Sequence, residues 1–207
     1  MNRILRALRS MVPLLAAAGL LALGYVAYDY LAMRLYQQAQ HQRFEARRHA
    51  ARMTPAALAV PKVTMAADGD AIGEIQILRL GLTAMVIQGD SSANLRRGVG
   101  HLAETAWPGE EGNVVLAGHR DALFRPLKDV QAGDAITVKT LSGDFEYLVE
   151  STSVVPPSAI EVLEPTGGRT LTLITCFPFS YVGAAPNRFI VRARLNAQPV
   201  SQLETPP

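Results

Sequence analysis

The sequence predicts a mainly β fold: a closed β-barrel of about eight strands with one or two short helices, behind an N-terminal transmembrane helix. Three observations lead to this prediction. Residues 11–28 carry no charged side chain. Short apolar runs separated by turn residues recur along residues 71–196. Helical periodicity in that region is sparse, and its candidates are residues 91–98 and 123–130.

The charge-free stretch is long enough to cross a membrane. At about 1.5 Å per helical residue, residues 11–28 span about 27 Å, close to the thickness of the hydrocarbon layer. A cleaved signal peptide is the alternative, but its apolar core is usually about 7–15 residues and ends at a small-residue cleavage site. Here the three alanines at 16–18 lie inside the stretch. We therefore expect an uncleaved anchor over residues 11–33.

Composition limits the function classes. The chain has 207 residues and a formal net charge of +2, which suits one globular domain with accessory segments. So small a charge, with few aromatic residues among the N-terminal arginines, argues against nucleic-acid binding. Residues 1–10 form a basic tail that favours a cytoplasmic N-terminus, but arginines also follow the anchor closely. Charge alone therefore leaves the orientation open.

The segments after the anchor differ in character. Residues 34–70 read as a polar stalk and linker: Gln, Arg and Ala dominate residues 34–53, whereas residues 55–70 contain two prolines and no clear period. We expect the barrel over residues 71–197 and a C-terminal tail over 198–207. The predicted strands are 75–80, 83–87, 113–117, 134–140, 144–151, 169–176 and 188–195.

The chain's one cysteine, Cys176, cannot form an internal disulfide. In the run RTLTLITC, Leu171, Leu173 and Thr175 share one face of the predicted strand and Cys176 lies on the other. Pro178 follows closely, and proline rarely sits inside a central strand, so Cys176 lies near a strand end. The alternative is a small, buried, apolar cysteine.

Two other residue types complete a candidate site. His119 follows the apolar run NVVLAG and so stands at the end of a strand; the alternative is an ordinary surface-loop histidine. Arg188 opens the last strand and shares its face with Arg192 and Arg194; the alternative is a solvated face. His101 is interpreted as a packing residue in a glycine-rich loop.

These three residues form a chemically coherent set. A cysteine attacks a carbonyl as its thiolate. An imidazole can take the thiol proton and later donate it to a leaving amine. A guanidinium can orient or stabilise the oxyanion that develops. We therefore predict Cys176, His119 and Arg188 as catalytic residues.

Three segments that contain or precede these residues resemble the sortase family. The family's catalytic-histidine segment is similar to GHLAETAWPGEEGNVVLAGHRDALFRPLKDV, which maps that histidine to His119. Its catalytic cysteine and arginine map to Cys176 and Arg188 in TLTLITCFPFSYVGAAPNRFIVRARL. Its first strands resemble GEIQILRLGLTAMVIQGDSSANLRRGVGH, so the resemblance covers most of residues 72–196. Residues 183–188 are most similar to class D sortases and to those of Gram-negative bacteria.

The resemblance implies a sortase β-barrel, one N-terminal anchor in the inner or plasma membrane, and a catalytic domain outside the cytoplasm, in the periplasm or at the cell surface. It implies a protein substrate with a short C-terminal sorting signal of LPxTG type, cleaved after threonine through a Cys176 thioester and transferred to an amine. Thr175 maps to a position implicated in substrate binding. We expect no metal and no cofactor.

Two other functions remain open on the sequence. A cysteine endopeptidase would use the same three residues and release the acyl-enzyme to water. A non-enzymatic, membrane-anchored β-barrel would bind a partner, with Cys176 buried and unreactive.

Overall fold

The computed structural model describes residues 2–53, 66–181 and 183–196, with side chains from residue 11 onward except that of Arg52. The predicted linker residues 55–65 and the C-terminal tail lie outside these ranges. Helix α1 spans Asn2–Met53 and helix α2 spans Ser92–Leu95. The eight strands are β1 Ala71–Ile77, β2 Leu82–Gln88, β3 Val99–His101, β4 Gly112–Ala117, β5 Ala135–Thr140, β6 Asp144–Val155, β7 Arg169–Phe177 and β8 Asn187–Leu195.

The strands close into a barrel in the order β1-β2-β3-β4-β7-β8-β6-β5, with β5 pairing back to β1. The predicted closed barrel of about eight strands is thus confirmed. Two pairs, β2–β3 and β4–β7, are parallel and the others are antiparallel. A parallel pair needs a long crossover, and the chain between β4 and β7 supplies it by building β5 and β6. This order makes β4, β7 and β8 neighbours.

Inward-facing side chains, at alternate positions along the strands, fill the interior of the barrel. Leu171 and Leu173 of β7 are fully buried and pack with Val191 and Ala193 of β8, as the sequence predicts. Burying each large aliphatic side chain stabilises the fold by about 1.5–3 kcal/mol. Because β7 alternates, Cys176 lies on the outer face of the barrel.

Several element boundaries differ from the prediction, among them the end of β1, the second predicted helix and the end of β6. The predicted strand 75–80 ends at Ile77; a 3₁₀ turn, Leu78–Leu80, follows and stops at Gly81, whose φ is 62°. Pro126 limits the second predicted helix to a 3₁₀ segment, Arg125–Asp129. Strand β6 continues past the predicted end at 151 to Val155. Residues 151–155 pair with β8, although most of their side chains are exposed.

The interpretation of His101 as a loop residue is wrong. His101 ends β3, pairs with Leu116 of β4, and is fully buried. Its Nδ1 lies 2.9 Å from the side-chain amide of Gln88, and its Nε2 lies 3.0 Å from the carbonyl oxygen of Ala106. The ring also lies 5.0 Å from that of Trp107, centroid to centroid. Three residues are too few to show strand alternation, so β3 could not be predicted from the sequence pattern.

Residues 34–53 of the predicted stalk are helical and continue α1 without a break. This part of α1 packs on the barrel: Phe44 is 3% exposed and Arg48 is 7% exposed. The same helix contains the one candidate membrane span found among the described residues, Met11–Ala51.

Candidate active site

Cys176 lies near the end of β7, the middle one of three neighbouring strands. In the antiparallel ladder between β7 and β8, Cys176 and Arg188 are direct cross-strand partners. Directly opposed residues place their Cβ atoms about 4.5–5.5 Å apart on the same face. The structure therefore brings these two predicted site residues together on the outer face of the barrel.

His119 lies on the other side of Cys176. Strands β4 and β7 run parallel with Ala117 beside Ile174, and the pairing continues with a 3.1 Å hydrogen bond from the Gly118 nitrogen to the Ile174 carbonyl. Strand β4 ends at Ala117, and His119 follows two residues later. If the register continued by two residues, His119 would stand beside Cys176, with the Cα atoms of all three residues within about 10 Å at a strand spacing of about 4.8 Å.

The position of His119 depends on a close approach beneath it. Gly118 is buried, and a Cβ added there would lie 2.7 Å from Cδ2 of Phe124. The backbone nitrogen of Phe124 donates to the His119 carbonyl at 3.1 Å. A side chain at position 118 would push this turn away from β7.

The exposure of the predicted site residues argues against the alternative of a buried, unreactive cysteine. His119 is exposed, whereas Cys176 and Arg188 are half-buried, and Cys176 is a free thiol. Nη1 of Arg188 donates to the carbonyls of Ala185 at 3.4 Å and Asn187 at 3.1 Å. Within the described ranges no carboxylate pairs with this guanidinium, so its remaining N–H groups are available to an oxygen atom of a ligand.

Thr175 lies beneath the site instead of in it. Its side chain is 2% exposed, and its hydroxyl donates to the Gly118 carbonyl at 2.7 Å. This bond ties β7 to the chain just before His119. The geometry therefore favours a positioning role for Thr175 over the predicted direct contact with substrate.

Arg120 is a residue whose part in the site the sequence did not reveal. Its Nη2 donates to the carbonyls of Tyr181 at 2.7 Å and Gly183 at 3.1 Å, and its guanidinium carbon lies 5.9 Å from the centroid of the Tyr181 ring. These contacts hold the loop between β7 and β8 against the turn that carries His119. On sequence Arg120 looked like a solvated neighbour, because its partners are backbone carbonyls more than sixty residues away.

An apolar strip lies on the outer face beside Cys176. Ala117, Ile174 and Ile190 are register partners across β4, β7 and β8. The connection from β6 to β7 passes over the same face further along: the Val162 carbonyl accepts from Nδ2 of Asn113 at 3.0 Å. The strip therefore lies on the outer face between this connection and Cys176.

Known proteins share both the sequence pattern and the fold. Residues 75–196 match the family model of the Sortase domain. Sortase D of Bacillus subtilis is 34% identical over 124 residues, which are 59% of this chain and 63% of the relative. Sortase A of Listeria monocytogenes is 34% identical over 114 residues, 53% of this chain and 51% of the relative. The chain thus spans from about half to just under two thirds of these relatives.

Solved structures agree with this match. A Clostridium perfringens Sortase D5 transpeptidase superposes with a TM-score of 0.62 at 27% identity, covering 79% of this chain and 97% of that one. Two of the proteins named are sortases D, in keeping with the class D resemblance. The family match covers more than half of the chain, and the barrel has the corresponding fold. The chain therefore belongs to the sortase family.

Proposed function

We propose that this protein is a membrane-anchored transpeptidase. It cleaves a short sorting signal near the C-terminus of a partner protein, of LPxTG type and after its threonine, and transfers the acyl group to an amine. One observation supports the proposal: Cys176 and Arg188 are direct cross-strand partners on the outer face of the barrel, and His119 follows Gly118, whose nitrogen donates to the Ile174 carbonyl two residues before Cys176.

In the first half-reaction the Cys176 thiolate attacks the scissile carbonyl carbon and a C–S bond forms. The C–N bond then breaks while His119, protonated, donates its proton to the leaving amine. The product is a thioester on Cys176. In the second half-reaction the acceptor amine attacks the thioester carbon, His119 takes its proton, and the thiolate leaves. Atoms and charge balance without a metal or cofactor.

Arg188 orients the carbonyl oxygen during both steps. The N–H donors of its guanidinium are arranged in a planar fork. In both half-reactions negative charge develops on that oxygen, and a cation already in position stabilises it. The position of Arg188 directly across from Cys176 supports this role.

The apolar strip supports recognition of the sorting signal. Ile190 is 2% exposed, whereas Ile174 and Ala117 are half-buried, so part of the strip beside Cys176 is apolar and accessible. An extended peptide lying along it would bury a leucine-like side chain while its threonine reaches the thiol. We assign the LPxTG-type signal to this strip.

Anchoring belongs to the same proposal. Helix α1 is long and apolar enough to cross a membrane, which suits a single-pass protein of the inner or plasma membrane. We place the N-terminus in the cytoplasm and the barrel in the periplasm or at the cell surface, where a sorting signal of an exported protein would meet it.

Product analysis tests the proposal. The full-length protein is incubated with a fluorescent LPxTG-type peptide, with and without an added amine such as triglycine. A transpeptidase gives the amine-linked product in proportion to the added amine. An endopeptidase gives the free acid at an unchanged rate, and a binding module leaves the peptide intact; either outcome rejects transpeptidation.

Substitutions test the three roles in the same assay. Cys176→Ala abolishes turnover, and His119→Ala lowers it by about a hundredfold or more, since a positioned acid–base is worth about 10²–10⁴. Arg188→Lys lowers it substantially, because a point charge does not replace the guanidinium fork. The matched controls are His49→Ala, exposed in α1, and Arg169→Lys, exposed at the opposite end of β7 from Cys176. Normal turnover in any of the three site variants removes that residue from the mechanism.

A further inference from the structure

Helix α1 crosses the outer face of the barrel through a series of polar contacts. The backbone nitrogen of Met85 in β2 donates to Oε1 of Gln37 at 2.8 Å. Nδ1 of His41 lies 2.6 Å from Oε2 of Glu74 in β1. These contacts, together with buried Phe44, fix the helix to the barrel.

The contact row extends to β6. Nη2 of Arg48 donates to Oδ1 of Asp144 at 2.7 Å. Met85, Glu74, Lys139 and Asp144 are successive register partners across β2, β1, β5 and β6. Three steps between strands cover about 14 Å, and the helix rises about 16 Å from Gln37 to Arg48. The helix axis therefore runs nearly perpendicular to these strands.

Docking starts immediately after the predicted anchor. The predicted anchor ends at Met33, and Gln37 is one helical turn later, about 6 Å along the axis. Nε2 of Gln37 also donates to the Arg97 carbonyl at 2.5 Å, and the Arg97 guanidinium carbon lies 5.6 Å from the centroid of the Tyr36 ring. Because the helix is unbroken between the predicted anchor and these contacts, it holds the barrel close to the bilayer.

Three arginines lie at this level. Arg34, Arg96 and Arg97 are exposed, and within the described ranges none of them pairs with a carboxylate. Arg34 instead donates to the Tyr30 hydroxyl at 2.6 and 2.9 Å. Tyrosines and arginines at the end of a membrane helix suit the headgroup region. Exposed arginines there attract anionic headgroups.

We propose that α1 docks the barrel onto the bilayer, with the β2–β3 side and α2 facing the lipid and Arg34, Arg96 and Arg97 contacting anionic headgroups. The proposal rests on the membrane anchor of the proposed function. It adds that the barrel has one fixed orientation on the membrane instead of moving freely on a flexible stalk.

Depth-dependent fluorescence quenching tests this orientation. Cys176 is the only cysteine, so Cys176→Ala in the full chain provides a clean background. One label replaces Ser92, whose carbonyl accepts from the Arg96 nitrogen at 3.3 Å. The other replaces Ser142, which is exposed next to the far end of the contact row. Both proteins are reconstituted in nanodiscs that contain phosphatidylglycerol and headgroup spin-labelled lipid.

We expect quenching at position 92 to exceed that at position 142 several-fold. Replacing Arg96 and Arg97 together by Gln should reduce it in phosphatidylglycerol discs but not in phosphatidylcholine discs. Replacing Arg43 and Arg47, exposed further along α1, should leave it unchanged. Equal quenching at both positions overturns the docking while leaving the anchor and the transpeptidase intact. Failure to elute with the discs overturns both docking and anchor.

Discussion

At the scale of single residues, Arg120 shows how a side chain outside the predicted triad can control the site. Its two hydrogen bonds to the loop between β7 and β8 join the turn after His119 to the segment that leads into Arg188. Its Nη1 is buried and finds no hydrogen-bond partner among the described residues. The loop between Cys176 and Arg188 is therefore held by the guanidinium of Arg120.

We expect Arg120→Met to lower kcat/KM for a sorting-signal peptide by about tenfold, because hydrogen bonds from a charged donor contribute about 1.5–3 kcal/mol and part is recovered from water. Alkylation of Cys176 by a small iodoacetamide should be unchanged, since the thiol and His119 stay in place. Arg120→Lys should recover part of the loss, and Arg125→Met, on the exposed side of the next turn, is the control. A parallel fall in alkylation and turnover would mean that Arg120 supports the fold instead of the loop.

The sequence identified each of the three predicted site residues but did not predict from local pattern that they lie close together. Each was found because it stands at a strand end: Cys176 before Pro178, His119 after an apolar run, and Arg188 at the opening of the last strand. Their convergence depends on β7 lying between β4 and β8. Strand order is decided by long-range pairing, and no local pattern encodes it. The resemblance to sortases filled this gap.

At the scale of elements, β3 shows why a short strand escapes sequence reasoning. Its last residue, His101, is held by Gln88 of β2 and by the Ala106 carbonyl of the following loop. The atoms facing the two ring nitrogens, Oε1 of Gln88 and the Ala106 carbonyl oxygen, are both acceptors, and the neutral ring has one N–H to donate. Burial lowers the pKa of His101 below its usual value, and the hydrogen bond to Ala106 opposes this only in part.

This pKa shift predicts a loss of stability in acid. In the unfolded chain His101 takes up a proton near its ordinary pKa, whereas in the folded barrel it resists protonation. The contribution to stability is therefore complete above the unfolded pKa and declines as the pH falls below it. We expect the urea midpoint of unfolding to fall between pH 7.5 and 5, and His101→Gln to show a shallower slope. A steeper or equal slope in the variant would assign the pH dependence to other groups.

At the scale of the whole molecule, barrel closure and the docked helix act together. The closed strand order makes β4, β7 and β8 neighbours and pairs Cys176 with Arg188, while α1 covers a different part of the barrel around β2, β1 and β5. The sequence predicted the barrel and the helix but treated the polar half of α1 as a stalk. Its packing on the barrel could not be foreseen, because the row of partners exists only once the strands are paired.

The central claim is that Cys176 is the nucleophile of an acyl transfer. Mass spectrometry of the full-length protein, acid-quenched after brief mixing with an LPxTG-type peptide, tests it most directly. We expect the mass of the acyl fragment on the proteolytic peptide that contains Cys176, its removal by hydroxylamine, and no adduct in Cys176→Ala. Cleavage of the peptide with no adduct on Cys176, or cleavage that persists in Cys176→Ala, would contradict the account.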